Sequence, residues 1–256
     1  MIFNKIPIIL LAAAMSAPTL AVADDDDELE FDEAFIFFEL NNTDGDLGIH
    51  AKIDGDEWKK LEIEDSKERT MLKINVRGRL KKQGLTELFF ESAEPTFDDL
   101  DPEKFFKRFP EGTYEIEAET LEGDELESEV EVSHIMPAPP GGVKFNTLDA
   151  DVLSGEDCVH SSTSVMSPVT IFWTPVTMSH PTIGTPGEAV TIDSYEVVVE
   201  IDEETPVLSI VLPSEITEIA IPDAFIALTT EWKFEVLAKL ENGNATAVES
   251  CFLVVP

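Results

Sequence analysis

The chain has 256 residues, of which 53 are Asp or Glu and only 17 are Lys or Arg, giving a formal net charge of −36. Such a surface repels nucleic acids and anionic membranes, and it favours cations and basic partners. The acidity does not indicate disorder, because 43% of the residues are hydrophobic and they recur in alternating runs.

The first 23 residues are typical of a secretory signal peptide. Lys5 lies in a basic start, residues 8–15 are apolar, and Ala21-Val22-Ala23 resembles a cleavage site before Asp24. The apolar run is shorter than the roughly 20 residues of a membrane-spanning helix, which is the alternative interpretation. We therefore expect an exported protein, periplasmic or extracellular, with no membrane span in its mature form. Residues 24–30 are then a flexible acidic leader, because like charges repel.

Short alternating runs in the first half predict β-strands. These runs cover residues 35–40, 49–53, 58–63 and 71–76. Asn41–Gly48 and Asp54-Gly55-Asp56 are expected to be turns, since Asn, Asp and Gly favour turn conformations. Residues 85–91 fit either a strand or a helix.

A short crossover helix is expected next, leading into an aromatic corner. Asp101 can cap this helix, and Pro102 suits its first position. Pro110 and Gly112 end it and deliver Tyr114 into a strand, and residues 126–132 return as the second arm of a hairpin. The first domain is therefore expected over residues 31–136.

The Pro- and Gly-rich residues 137–142 predict a linker, and a second domain follows over 143–256. Its expected strands cover residues 169–173, 195–200, 207–212 and 216–221, with a final hairpin that carries Trp232 and Cys251. Short strands at regular spacing predict an all-β fold of two tandem β-sandwiches.

Several segments of the second half follow one family pattern in combination. They are Val169-Thr-Ile-Phe-Trp173-Thr-Pro175, Ser194-Tyr195-Glu196-Val197-Val198, Trp232-Lys-Phe234-Glu-Val236-Leu-Ala238, and the Asn242-Gly243 turn. This half resembles a fibronectin type III domain, and the first half more loosely resembles an immunoglobulin-like sandwich. The resemblance implies a core around Trp173, Tyr195 and Trp232, with Tyr114 in the first domain. The corner aromatic of the second domain is Trp232 instead of tyrosine, so only an indole N–H is available to tie the corner.

Cys158 and Cys251 are the two cysteines of the chain. In an exported protein an even pair predicts one disulfide, with two buried free thiols as the alternative. The resemblance implies that both residues lie at one pole of the second sandwich.

Two Asp-Gly-Asp segments are the best candidates for a metal site. Their carboxylates, Asp44, Asp46, Asp54 and Asp56, offer the oxygen ligands that Ca²⁺ prefers. The alternative is two hairpin turns, because Asp-Gly is a favoured turn pair. Apart from a possible Ca²⁺, no cofactor is expected.

The histidines His50, His134, His160 and His180 are far apart and form no short ligand motif. With no catalytic constellation either, we expect a protein that is not an enzyme. The expected function is an exported binding or scaffold protein that contacts a protein or surface, of basic character, through the loops Thr177–Glu188 and Leu240–Asn244. Both loops should face the first domain. A calcium-stabilised surface or matrix protein and an enzyme with an unrecognised site are the alternatives.

Overall fold

The computed structural model describes residues 29–150, 163–201 and 204–255. The predicted signal peptide lies outside these residues, as do Cys158 and His160. Leu29 belongs to the predicted flexible leader, but it forms a bridge with Leu126 and exchanges backbone hydrogen bonds with that strand. The leader prediction is therefore wrong at this end, because Leu29 has an apolar surface to pack against.

Strands dominate the described residues. In the first half they are β1 (Glu33–Asn41), β2 (Asp46–Glu64), β3 (Thr70–Asn75), β4 (Leu85–Glu91), β5 (Gly112–Thr120) and β6 (Glu125–Val132). In the second half they are β7 (Gly141–Phe145), β8 (Leu148–Asp149), β9 (Ser164–Met166), β10 (Val169–Thr174), β11 (Ile192–Ile201), β12 (Glu204–Pro213), β13 (Glu218–Ile221), β14 (Glu231–Leu240) and β15 (Ala245–Val255). The α-helices of the described residues are α1 (Pro102–Arg108) and the single turn α2 (Asp223–Ile226), and a 3-10 turn covers Leu80–Lys82.

The long strand β2 organises the first sandwich. Its first half pairs with β1 and β4, and its second half pairs with β3 and β5. β5 in turn pairs with β6. Both layers of the sandwich therefore share one strand. The core between them is built from alternate residues of these strands together with Phe105 and Phe106 of α1.

The predicted turn at Asp54-Gly55-Asp56 is wrong, because these residues lie inside β2. The buried positions run through Ile53 and Gly55 and then resume at Trp58, so one extra residue interrupts the alternation. The pairing register with β4 shifts between Asp54 and Trp58 accordingly. A β-bulge bends the strand at this point, and Gly55 allows the close approach of Phe31, whose Cδ1 lies 3.0 Å from the position that a Cβ would occupy.

Two other elements of the first half form at the positions expected from the sequence. Residues 85–91 form the strand β4. Asp101 caps α1 by accepting a hydrogen bond of 2.9 Å from the backbone N–H of Glu103, with Pro102 in the first turn.

The second sandwich has a sheet in the order β13-β10-β7-β8 packed against β12-β11-β14-β15. Its core contains Trp173, Tyr195, Trp232, Phe234 and Phe252. The predicted fold class, all-β with tandem sandwiches of immunoglobulin-like or fibronectin type III-like architecture, is confirmed by this arrangement.

The two sandwiches are joined into one sheet. β15 pairs in parallel with β1, with Glu39, Leu40 and Asn41 opposite Ala245, Thr246 and Ala247. The sheet consequently runs without interruption from β12 to β6. Sequence reasoning treated the sandwiches as separate bodies and missed this pairing.

The predicted linker is held by the second domain. The backbone N–H of Ala138 donates to Met178, and the backbone N–H of His180 donates to Met136. Met136 packs in the first core, and Ile183 of the second domain packs beside it. Gly141 and Gly142, expected at the end of the linker, already belong to β7.

Candidate functional site

An aromatic corner stabilises each sandwich. The Tyr114 hydroxyl donates to the backbone oxygen of Pro110 at 3.0 Å. Trp232 takes the same place in the second domain, and its Nε1–H donates to the backbone oxygens of Ile226 at 3.3 Å and Thr229 at 3.2 Å. The indole N–H therefore replaces the tyrosine hydroxyl as the hydrogen-bond donor, and both corners have a structural role in their own domains.

The other expected core residues are also buried. The exposed fraction is 4% for Trp173 and 1% for Tyr195. The Tyr195 hydroxyl accepts a hydrogen bond of 2.8 Å from the backbone N–H of Val176. Cys251 is buried on β15, whereas Cys158 lies outside the described residues, so the disulfide stays a prediction.

The four candidate calcium ligands are divided between two places. Asp46 lies opposite Asn41 at one end of the β1–β2 hairpin, and Asp54 lies opposite Glu33 at the other. The β1–β2 turn at Asp44 does form, with Gly45 at a positive φ of 70°. Within the described ranges, no group of three His, Cys, Asp or Glu side chains has the arrangement of a metal site. Calcium binding stays a prediction.

The described histidines have separate structural partners. His50 Nε2 lies 3.1 Å from Glu94 Oε1, and His134 Nε2 lies 2.8 Å from the backbone oxygen of Phe109. His180 Nε2 lies 3.0 Å from Asn42 Oδ1 across the domain boundary.

The two loops expected to bind a partner do face the first domain, and the structure ties them to it. Asn244, which is 1% exposed, accepts a hydrogen bond of 2.9 Å from the Phe38 N–H. Its amide group donates to the backbone oxygens of Ser133 at 2.8 Å and Ile135 at 2.9 Å. In the other loop, the backbone N–H of Thr185 donates to the His134 oxygen. These polar groups therefore already form hydrogen bonds within the chain.

The broadest surface shared by both domains is one face of the continuous sheet. It consists of the side chains on β11, β14, β15, β1 and β2 that alternate with the core residues, and we call it the outer face. Its central members are Glu196, Val198, Lys233, Glu235, Leu237, Lys239, Ala245, Ala247, Glu249, Glu39, Asn41, Asp46 and His50.

The floor of the outer face is apolar and made of small side chains. Ala245 and Ala247 are 0% exposed and Leu237 is 4% exposed, although all three lie outside the two main cores. Longer side chains on the neighbouring strands enclose them, as the register places Glu39 and Lys239 on either side of Ala245.

The charges around this floor do not balance. Lys233 Nζ lies 3.1 Å from Glu249, and Lys239 Nζ lies 2.5 Å from Glu196. Glu39, Asp46 and Glu235 have no ion-pair partner of this kind within the described part of the chain. Glu235 also lies directly opposite Glu249, a like-charge pair that destabilises a sheet.

The pKa values of these carboxyls reflect their surroundings. Burial, reinforced by Glu39 and Glu249, raises the pKa of Glu235 to about 8. Burial together with Glu94 and Asp44 raises the pKa of Asp46 to about 7. Burial also raises the pKa of Glu39. Ionising these buried carboxyl groups therefore costs free energy, and a cation bound above the apolar floor lowers that cost.

Sequence reasoning missed the outer face, except for Asp46, which it had considered as a calcium ligand. Alternation marks Glu39 and Glu235 as the polar side of their strands. The pairing of β1 with β15, which brings those sides together, leaves no pattern in the local sequence.

No family model and no curated protein matches the chain. Among solved structures, it is similar to a two-domain fibronectin type III segment of chicken tenascin, at 9% identity and a TM-score of 0.29, covering 87% of this chain and 98% of that one. A tetra-tandem repeat from the extending region of a large adhesion protein aligns at 12% identity and a TM-score of 0.28, covering 87% and 50%. The FN1-FN3 domains of chicken CNTN1 align at 13% identity and a TM-score of 0.29, covering 88% and 65%.

At these values, the likeness says nothing about what this chain binds. The fold assignment rests on the strand order described above. In the described residues, no helix has both the length and the apolar character needed to cross a membrane.

Proposed function

We propose that this protein is an exported, non-catalytic binding or scaffold protein that docks a basic partner on the outer face. The observation that carries the proposal is the set of Glu39, Asp46 and Glu235 around an apolar floor, without matching cations. Charge complementarity of this kind selects Lys- or Arg-bearing partners and accelerates their association.

The outer face is suited to docking because it is preorganised. Its two halves are fixed by the β1–β15 pairing and by the buried hydrogen bonds of Asn244. Little conformational freedom is then lost on binding, which favours affinity. The loops that were first considered for binding are less suitable, since their polar groups already bond to the first domain.

The test uses the mature protein and a synthetic ten-residue peptide of alternating Arg and Ala, measured by calorimetry at 0.15 M salt. The face variant, E39Q/E235Q, should bind the peptide at least tenfold more weakly, equivalent to about 1.4 kcal/mol. The matched control is E122Q/E215Q, which replaces the same two carboxyl groups by amides at exposed positions. Equal losses in both variants would show that only net charge matters and would refute the proposed site.

Export and the absence of catalysis have separate tests. The N-terminal sequence of the secreted protein should begin at Asp24. Turnover in a hydrolase screen, abolished by a substitution within the folded domains, would instead support the enzyme alternative.

A further inference from the structure

One segment of this acidic chain is strongly basic. The loop Arg77-Gly78-Arg79-Leu80-Lys81-Lys82 joins β3 to β4, and we call it the basic loop. It holds four of the chain's 17 basic residues within six positions. All six residues are exposed, and Leu80 at their centre is 52% exposed.

The basic side chains of this loop are available. Within the described ranges, none of the four has a carboxylate partner, whereas other lysines nearby do. Lys59 and Lys60 both pair with Glu119, at 2.7 and 2.5 Å. Together with Arg77 and Lys81, these two lysines and Glu119 line one cleft, whose charged side chains are four cations and one carboxylate.

The basic loop and the outer face adjoin different halves of β2. The loop is attached beside Lys59, whose backbone oxygen accepts from the Val76 N–H at 2.9 Å. The outer face begins around His50 on the same strand. Lys59 and His50 are nine residues apart on β2. Within the described ranges, no ion pair joins a basic side chain of the loop to a carboxylate of the outer face, so the two surfaces do not neutralise each other within one molecule.

We propose that the basic loop of one copy docks on the outer face of a second copy. This inference rests on the proposed function and names the basic partner. The projecting loop offers four cations to Glu39, Asp46 and Glu235, and Leu80 offers an apolar side chain to Val198, which is partly buried beside Leu237. The loop and the face complement each other in both charge and apolar contact.

This contact is heterologous, because the two surfaces that meet are different. Each docked copy still presents one free loop or face, so association continues head to tail unless the rotation closes a ring. The net charge of −36 opposes this at very low salt. At about 0.15 M salt the Debye length is about 8 Å, which screens the global repulsion more than the close contacts. Association should therefore be greatest at intermediate salt and weaker at both extremes.

The test is a mixing experiment by sedimentation velocity at 0.15 M salt. The loop variant, R77S/R79S/K81S/K82S, keeps its face, and the face variant, E39Q/E235Q, keeps its loop. Wild-type protein and the E122Q/E215Q control should form concentration-dependent oligomers, whereas each variant alone should be monomeric. An equimolar mixture should form a 1:1 heterodimer and nothing larger, because only one competent contact exists. The loop is exposed, and unchanged circular dichroism would show that the variants remain folded.

Wild-type protein that is monomeric across this salt range would overturn the inference, as would oligomers of the loop variant or a mixture without heterodimer. Peptide binding separates this failure from failure of the proposed function. A monomeric protein whose outer face still binds the Arg-Ala peptide keeps the function and loses only the second copy as partner. A protein that neither associates nor binds the peptide loses both.

Discussion

The junction between the sandwiches should depend on Asn244. The variant N244A removes three hydrogen bonds at once, those with Phe38, Ser133 and Ile135. A hydrogen bond contributes about 1 kcal/mol net, and a buried donor left unpaired costs about 1–3 kcal/mol. The Phe38 N–H is buried, whereas the two carbonyls are only partly buried and can recruit water. We therefore expect the free energy of unfolding to fall by about 2–4 kcal/mol.

Urea denaturation, followed by both tryptophan fluorescence and circular dichroism, measures this loss. N244D should cost at least as much, because it keeps the acceptor for Phe38 but turns an oxygen towards two carbonyl oxygens. The matched control is Asn75, which is exposed on β3, and N75A should change stability by less than about 0.5 kcal/mol. A loss below about 1 kcal/mol in N244A, or wild-type stability in N244D, would refute the role assigned to this side chain.

Three further substitutions test the corner and the titrating groups. Y114F removes the hydroxyl that donates to Pro110 and should cost about 1 kcal/mol in urea denaturation; no change would mean that the corner bond is dispensable. The pKa of Glu235 is raised to about 8, so its ionised form destabilises the fold increasingly as pH rises from about 4.5 to 8. E235Q should accordingly melt higher than wild type at pH 9, with a smaller difference at pH 5, and a pH-independent difference would contradict this. Burial lowers the pKa of His180, whose neutral ring accepts from Ile183; its stabilisation is present above pH 6.5 and is lost as pH falls. The loss of stability in H180A should therefore be smaller at pH 5 than at pH 8, and an equal loss would contradict this.

Much of the local structure could be predicted from the sequence. Alternation located most strands, and Asp101 with Pro102 marked the start of α1. The corner at Tyr114 was visible because Pro110 and Gly112 precede an aromatic residue at the start of a strand. All these features depend on residues that are close together in the chain.

The continuity of β2 could not be predicted in the same way. Asp54-Gly55-Asp56 has turn chemistry, and only the resumption of burial at Trp58 shows that the strand bends without reversing. A bulge and a tight turn both favour Gly with flanking polar residues. Long-range packing, which the local sequence does not contain, selects between them.

The candidate site was the least predictable part, since it depends on which strands are neighbours. Glu39 and Glu235 are nearly two hundred positions apart, and the parallel contact of β1 with β15 brings their strands together. A parallel pair has no connecting turn to announce it. The basic loop is a run of charge in the sequence, but its acidic counterpart is assembled only by the pairing of distant strands.

The parallel contact between β1 and β15 also has a mechanical consequence. Opposed forces applied at residue 29 and residue 255 would draw β1 towards its start and β15 towards its end. The two strands would then slide past each other, and the hydrogen bonds between Glu39–Asn41 and Ala245–Ala247 would be loaded together. Bonds loaded in this shearing geometry must break almost at once, whereas a hairpin pulled from its open end unzips one bond at a time. A tether under tension therefore meets its resistance at the junction that unites the two sandwiches.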